Sequence, residues 1–264
     1  MITRLAINGA CGRMGLRLIQ LAREDAELAV IAALERAHHP CLGHDIGEVA
    51  GLGRLGIPVA TSLPLSERPD VIVDFSSPEG TLQVLRLALD RKIALVVGTT
   101  GHSPQQREEL EAAAHHIPLL VSPNMSLAMN VLMVVLEQVA RLLKGHDFDV
   151  EIVEMHHRFK KDAPSGTALQ LAKIIQEQLG FGEVRHGREG VTGEKPRGEI
   201  GMHAVRAGDI VGEHLVLFST LGESLQLVHR AHSRDCYARG ALLAAKFLAQ
   251  RPPGRYCMRD VLGL

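Results

Sequence analysis

The chain has 264 residues, 46% hydrophobic and 22% charged, enough for one large α/β domain or two smaller ones with proper cores. With 29 Lys plus Arg against 30 Asp plus Glu the net charge is near zero, which argues against an extended nucleic-acid partner. The four cysteines (Cys11, Cys41, Cys236, Cys257) form no CxxC pair and no zinc-like spacing, so free thiols in a reducing, cytoplasmic compartment are expected. An apolar run starts at Ile2 without a basic leader, and no signal peptide is expected.

Residues 5–7 read as a buried strand running directly into Gly9-Ala10-Cys11-Gly12-Arg13-Met14-Gly15. Over 13–24, Met14, Leu18, Ile19 and Leu21 recur near helical spacing, and 28–34 is a second apolar strand ending at Glu35-Arg36. Strand, glycine turn, helix and strand together begin a parallel sheet. Residues 37–55, rich in Gly, His and Pro, predict an irregular loop. Further strands are expected at 71–75, 94–97 and 118–121, with helices at 79–90 and from Ser103-Pro104 onward. These strands stop at small polar residues, namely Ser76-Ser77, Gly98-Thr99-Thr100 and Ser122-Pro123-Asn124. Ligands bind at that carboxyl edge of a parallel sheet.

Residues 117–136 carry no charge over nearly the length of a bilayer span. Pro118, Pro123, Asn124 and Asn130 break that stretch into a strand, a polar turn and a buried helix, so no membrane segment is expected. From about residue 128 the pattern changes to a long apolar helix (129–143), an alternating strand (149–155) and a helix at 168–179. A glycine-rich stretch (181–201) and two strands (213–219 and 224–230) follow. Strands clustered late predict a second, α+β domain; the helix beginning near Tyr237 fits either domain on pattern alone.

A dinucleotide turn needs small residues where the backbone bends toward the pyrophosphate and a helix whose amino end faces it. Gly9, Gly12 and Gly15 meet that need between a strand and a helix. Glu35 lies 20 residues past Gly15 at a strand end, placed for ribose hydroxyls, and Arg36 beside it is placed for a 2′-phosphate. The pair suits both NADH and NADPH. A second G-x-G-x-x-G, Gly51 to Gly56, follows no strand and opens no helix, and reads as loop glycine.

The densest chemistry lies at 154–167. His156, His157, Arg158, Lys160 and Lys161 precede Ser165-Gly166-Thr167, which opens a helix. Free N–H groups at that helix start and the lysine suit a small dicarboxylate, and a histidine near neutral pH can deliver a proton. No metal site is expected, since adjacent His156 and His157 rings rarely converge and no third ligand is suggested.

With these motifs the chain resembles the 4-hydroxy-tetrahydrodipicolinate (dihydrodipicolinate) reductase family of bacterial and plant lysine synthesis. The resemblance runs through the glycine turn, Val73-Asp-Phe-Ser76, Gly98-Thr-Thr-Gly101 and Ser122-Pro-Asn-Met-Ser126. It continues through Glu154-Met-His-His-Arg158, Lys160, Asp162 to Thr167, Gly198-Glu-Ile-Gly201 and Arg206 to His214. It implies a Rossmann-type α/β domain (1–127 and 237–264) and an α+β domain (128–236) for substrate binding and tetramer assembly. It further implies His156 as general acid with Lys160 as its electrostatic partner, and His157, Ser165, Gly166 and Thr167 around the substrate carboxylates. Gly9 to Met14 and Glu35-Arg36 would hold the dinucleotide, with Gly98-Thr99-Thr100 and Ser122-Pro123-Asn124-Met125 along its nicotinamide. Two departures from common family patterns stand at Ser77 and at the pair Ala128-Met129.

Two other readings fit the glycine turn alone. A semialdehyde dehydrogenase would want a nucleophilic cysteine in an activated setting, and none of the four sits in one. A cofactor-sensing regulator would need neither His156 nor Lys160 and would bring a partner-binding module, which is not seen.

Overall fold

β1 (Thr3–Asn8) is apolar on both faces because both are covered, as a central parallel strand requires. In the computed structural model, which describes residues 2–264, Leu5 and Ile7 join one hydrophobic cluster and Ala6, between them, joins another. The glycine turn follows, then α1 (Arg13–Glu24) and β2 (Leu28–Leu34). Both elements have the bounds expected from their periodicity.

The loop after β2 is less irregular than expected. It holds a short helix, α2 (Ile46–Val49), and a two-residue strand, β3 (Val59–Ala60). Asp45 organises it: its carboxylate accepts the amides of Gly47, Leu55, Gly56 and Ile57. The second glycine pattern therefore folds around an aspartate and opens no helix.

β4 (Val71–Asp74), β5 (Ala94–Val97) and β6 (Pro118–Val121) alternate with α3 (Pro78–Arg91) and α4 (Pro104–Ala113). Ser77 and Ser103 cap the two helices, each followed by proline at the first helical position. Late in the chain come α7 (Asp235–Leu248), β12 (Gly254–Tyr256) and α8 (Met258–Leu262). The seven strands form one parallel sheet in the order β12-β6-β5-β4-β1-β2-β3. Strand order reverses between β1 and β4, the position where such sheets open a crevice at their carboxyl ends. One face packs on α1 and α7 through Leu18, Ile19, Ala241 and Leu248; the other packs on α3 and α4 through Val84, Leu85 and Leu110.

The chain divides into two units, 1–127 with 234–264 and 128–233. The second contains most of α5 (Leu127–Leu143), then β7 (Asp149–His156), α6 (Gly166–Leu179) and β8 (Glu183–His186). β9 (Glu199–Arg206), β10 (Gly212–Thr220) and β11 (Glu223–Ala231) complete it. These strands form a mixed sheet in the order β11-β10-β7-β9-β8. Val150, Ile152, Val216 and Phe218 face Leu136, Leu171 and Ile175 of the two helices. The opposite face carries Val153, Met155, Leu215 and Val228 in register, with Val228 46% exposed. No helix among the described residues is long and apolar enough to cross a membrane.

Candidate active site

Two constellations stand out, one in each unit. In the first, the turn after β1 leads into α1, whose cap residue Gly12 offers no side-chain cap to the opening amides. Such a start leaves backbone N–H groups available to an anion. Gly15 is a packing requirement as well, since a Cβ there would overlap the carbonyl oxygens of Gly9 and Ala10. Glu35, just past β2, folds its carboxylate back so that Oε1 accepts the Cys11 amide at 3.2 Å and Oε2 accepts the Arg36 amide at 3.0 Å. A cavity of about 480 Å³ opens here, lined by Asn8, Gly9, Glu35, Arg36, Phe75 and Ser76 among others. The glycine turn, Glu35 and Arg36 thus come together at the sheet's switch point, with Ser77 at the same cavity.

Asp74, at the end of β4, ties the neighbouring strand ends to this turn. It is wholly buried and accepts from Asn8 Nδ2 (2.7 Å), Ser76 Oγ (2.5 Å), Thr81 Oγ1 (2.6 Å) and Thr99 Oγ1 (2.8 Å). A buried carboxylate is tolerated when its lone pairs are filled in this way. Thr99 also accepts the Ser76 amide at 2.9 Å, so the loops after β4 and β5 are stitched together. The loop after β6 is fixed separately: the Ser122 hydroxyl donates to the Asn124 carbonyl, and Asn124 Oδ1 accepts the Ser126 amide. Gly98 to Thr100 and Ser122 to Met125 therefore lie at ends of the same parallel sheet as the glycine turn.

The second constellation is built on β7. Glu154 and His156 continue the inward alternation begun by Val150 and Ile152, so both are buried. His156 Nδ1 lies 2.5 Å from Glu154 Oε2. Arg206, at the end of β9, donates to both Glu154 oxygens at 2.9 and 2.7 Å, and the Ser165 amide donates to Oε1 at 3.1 Å. Burial opposes ionisation of Glu154, but Arg206 and His156 outweigh it and hold the carboxyl below the usual range. Burial also lowers the His156 pKa; Glu154 works against that, while Lys160 and Arg206 reinforce it.

Ser165 caps α6 through the Ala168 amide, and its hydroxyl lies 3.2 Å from His214 Nε2. The His214 and His156 rings meet edge-on at 5.3 Å, and burial pushes the His214 pKa down to about 3. Lys160 pairs with Asp162 at 2.9 Å, and the Asp162 carbonyl accepts from Arg206 at 2.7 Å. His157 is half-buried beside Phe159. Gly166 and Thr167 form the first turn of α6, and space beside the Gly166 Cα is open. His156, His157, Lys160, Ser165, Gly166 and Thr167 thus all belong to the second unit, and two of them, His156 and Ser165, touch the buried Glu154 carboxylate.

Glu154, Arg206 and His214 received no role from the sequence, yet Glu154 and Arg206 bear on the charge of His156 and His214 packs edge-on against its ring. For Glu154 the signal was present on β7, where a glutamate and a histidine occupy consecutive inward positions of an otherwise apolar alternation.

Family comparisons accord with this geometry. The family model described as dihydrodipicolinate reductase, N-terminus, matches residues 3–125, and that described as dihydrodipicolinate reductase, C-terminus, matches 128–262. The chain belongs to the dihydrodipicolinate reductase family. It is similar to the 4-hydroxy-tetrahydrodipicolinate reductase of Hahella chejuensis (strain KCTC 2396), with 46% identity over 100% of each chain. That of Syntrophus aciditrophicus (strain SB) is 45% identical over 97% of each. Among solved structures, the dipicolinate-bound dihydrodipicolinate reductase of Paenisporosarcina sp. TG-14 superimposes with a TM-score of 0.77 at 25% identity, covering 98% of this chain and 99% of the other. As a family member the chain is an oxidoreductase with a nicotinamide dinucleotide cofactor, and its first sheet is of the Rossmann type.

Proposed function

We propose that His156 is the proton donor and Lys160 its electrostatic partner in the reduction of 4-hydroxy-tetrahydrodipicolinate to tetrahydrodipicolinate. The reaction is dependent on NAD(P)H, loses the 4-hydroxyl as water, and belongs to the diaminopimelate route of lysine synthesis. The observation that carries the assignment of His156 is its contact with Glu154, itself clamped by Arg206. With Nδ1 anchored on a carboxylate, the ring is fixed and Nε2 is left to carry the proton. Lys160 offsets substrate carboxylate charge. His157, the Ser165 cap and the opening amides of α6 at Gly166 and Thr167 would hold the carboxylates, and the open space at Gly166 leaves room for one.

In the first unit, residues 9–14 would hold the pyrophosphate and Glu35 a ribose, with Arg36 receiving a 2′-phosphate when it is present. The uncapped start of α1 and the cavity beside it fit such a group. The loops at 98–100 and 122–125 would line the nicotinamide. When bound, the reduced nicotinamide supplies the hydride. The chain's own work is to orient the substrate, neutralise its charge and deliver one proton from His156. An adjacent glutamate and arginine favour use of both NADH and NADPH.

The family reading extends to assembly and compartment. The open sheet face bearing Val153, Met155, Leu215 and Val228 supports a homotetramer joined through the second unit. Four free cysteines accord with a cytoplasmic setting. The direct test is a steady-state assay with the 4-hydroxy substrate and each reduced cofactor in turn. Turnover with both is expected; a slow or absent reaction with both would overturn the reading.

A further inference from the structure

Cys11 stands in the glycine turn, and Cys41 lies in the loop after β2, 30 residues later. Folding brings their two sulfurs and a ring nitrogen of His39 within 4.8 Å of one another, all three side chains partly buried. Neither residue spacing nor a CxxC motif announced this group, because its members come from two separate turns.

Both turns are held by the backbone. The amides of His39, Leu42 and His44 donate to the carbonyls of Arg36, His39 and Cys41, coiling 36–44 tightly. The Gly43 amide and the His44 carbonyl clip that coil to Val59. The Cys41 amide donates to His39 Nδ1 at 3.2 Å, orienting the ring, and the Cys11 amide is fixed on Glu35. Three donors thus converge without any large movement of the chain.

Two thiols and an imidazole form a ligand set for a borderline-soft cation, and tetrahedral zinc commonly takes three such ligands plus a fourth, exchangeable one. Hard cations such as magnesium or calcium prefer oxygen and have no place in it. We propose that Cys11, His39 and Cys41 bind one Zn²⁺ and that bound zinc excludes the dinucleotide from the neighbouring turn. Two thiol protons pass to solvent as two zinc–sulfur bonds form, so charge and atoms balance without any redox change.

The exclusion rests on the cofactor reading of the glycine turn. Cys11 lies inside that turn, and His39 lines the same cavity as Gly9, Gly12, Glu35 and Arg36. Cys11 and Cys41 pack behind that lining, so a zinc ion bound to them and to His39 would stand at the cavity wall, where its His39 ligand and its water compete with the dinucleotide.

The experiment uses the full chain with thiols kept reduced. Zinc chloride is titrated against a chromophoric chelator, and NADH binding is followed by fluorescence with and without zinc. One zinc per chain is expected, with affinity falling at least about a hundredfold in Cys41→Ser, since losing even a residue that only supports a zinc ligand costs about 10–100-fold. Cobalt(II) in place of zinc should give tetrahedral d–d bands and a sulfur charge-transfer band that Cys41→Ser diminishes. Zinc should raise the apparent Kd for NADH in the unmodified chain and leave it unchanged in Cys41→Ser, whose metal-free NADH affinity stays within about twofold. Equal zinc uptake by chain and variant would overturn the site, and undiminished NADH binding at saturating zinc would overturn the exclusion. If NADH fails to bind the metal-free chain, the cofactor reading fails, while zinc stoichiometry and the cobalt spectrum still decide the metal site.

Discussion

Glu154 Oε2 and His156 Nδ1 sit 2.5 Å apart, two residues along one strand and on its inward side. The carboxylate favours the imidazolium, but burial disfavours it more, so the His156 pKa lies below its ordinary 6.5. A proton donor must be protonated at the outset, so kcat/KM should fall as pH rises through that lowered value. Removing the carboxylate charge in Glu154→Gln takes away the one influence that raises the pKa, and the fall should move to still lower pH. A dianionic substrate has the opposite effect, so the kcat profile should break at higher pH than that of kcat/KM. Profiles of the unmodified chain and of Glu154→Gln over about pH 5 to 9 check the sign; an alkaline displacement in Glu154→Gln would contradict it.

His156→Gln and Lys160→Ala should each lower turnover by about a hundredfold or more, the usual scale for acid–base groups. Cofactor affinity, measured by NADH fluorescence, should stay close to the unmodified value. Near-normal turnover in either variant would remove that residue from the mechanism.

Arg36 carries the next expectation. It sits beside Glu35 at the cavity, where a 2′-phosphate would bring about two negative charges. Arg36→Ala should weaken NADPH about tenfold or more while NADH changes little. Comparison of KM for the two cofactors tests it, and equal losses would deny the arginine that role.

Asp74 should matter for stability before it matters for chemistry. Asp74→Ala leaves the hydrogen-bonding groups of Asn8, Ser76, Thr81 and Thr99 without their shared acceptor. A cost of about 2–4 kcal/mol is expected from several buried unsatisfied donors. Urea unfolding at neutral pH measures it, and a loss below about 0.5 kcal/mol would show that the donors find other partners.

Two glycines should respond in opposite ways. At Gly15 a methyl group would overlap backbone oxygens, so Gly15→Ala should lower the Tm by several degrees and weaken NADH binding. At Gly166 nothing lies within 4 Å of a new Cβ and the backbone is helical, so Gly166→Ala should keep or slightly raise the Tm. Its effect should appear as a raised KM for the dicarboxylate substrate. A destabilised Gly166→Ala, or one with unchanged KM, would contradict the proposed carboxylate cradle.

The first sheet was legible in the sequence because each of its strands is a short apolar run closed by small polar residues, a pattern that burial on both faces imposes. The second sheet was legible only in part. β8 and the start of β9 lie in the stretch read only as glycine-rich, and Gly201 shows one reason for that composition. Its missing side chain makes room for the Glu151 carboxylate on the adjacent strand, which gathers Lys195, Arg188 and His203. A glycine that serves close approach between strands looks, in sequence, like a turn. β12 escaped notice because three residues, Gly254, Arg255 and Tyr256, show no periodicity and earn strand geometry only by pairing with β6.

The site divides along similar lines. His156, Lys160 and the start of α6 are local in sequence and were found together, as were the glycine turn and Glu35. Arg206 reaches Glu154 across 52 residues through the pairing of β7 with β9, and His214 lies opposite Glu154 across β10. Cys11 and Cys41 meet in the same way. Such convergence follows from topology, which no spacing rule contains.

The position of α7 bears on how the chain emerges from a ribosome. Its Ala238, Ala241, Leu242, Ala245 and Leu248 fill the cluster beneath β1 and β4, and Asp235 binds Arg17 through two hydrogen bonds. The amino-terminal half is therefore synthesised first yet lacks α7 until residues 235–248 have been translated. The continuous segment 128–233 has no such wait. Vectorial synthesis thus favours completion of the later-born unit first, with the first sheet sealed only as residues 234–264 arrive.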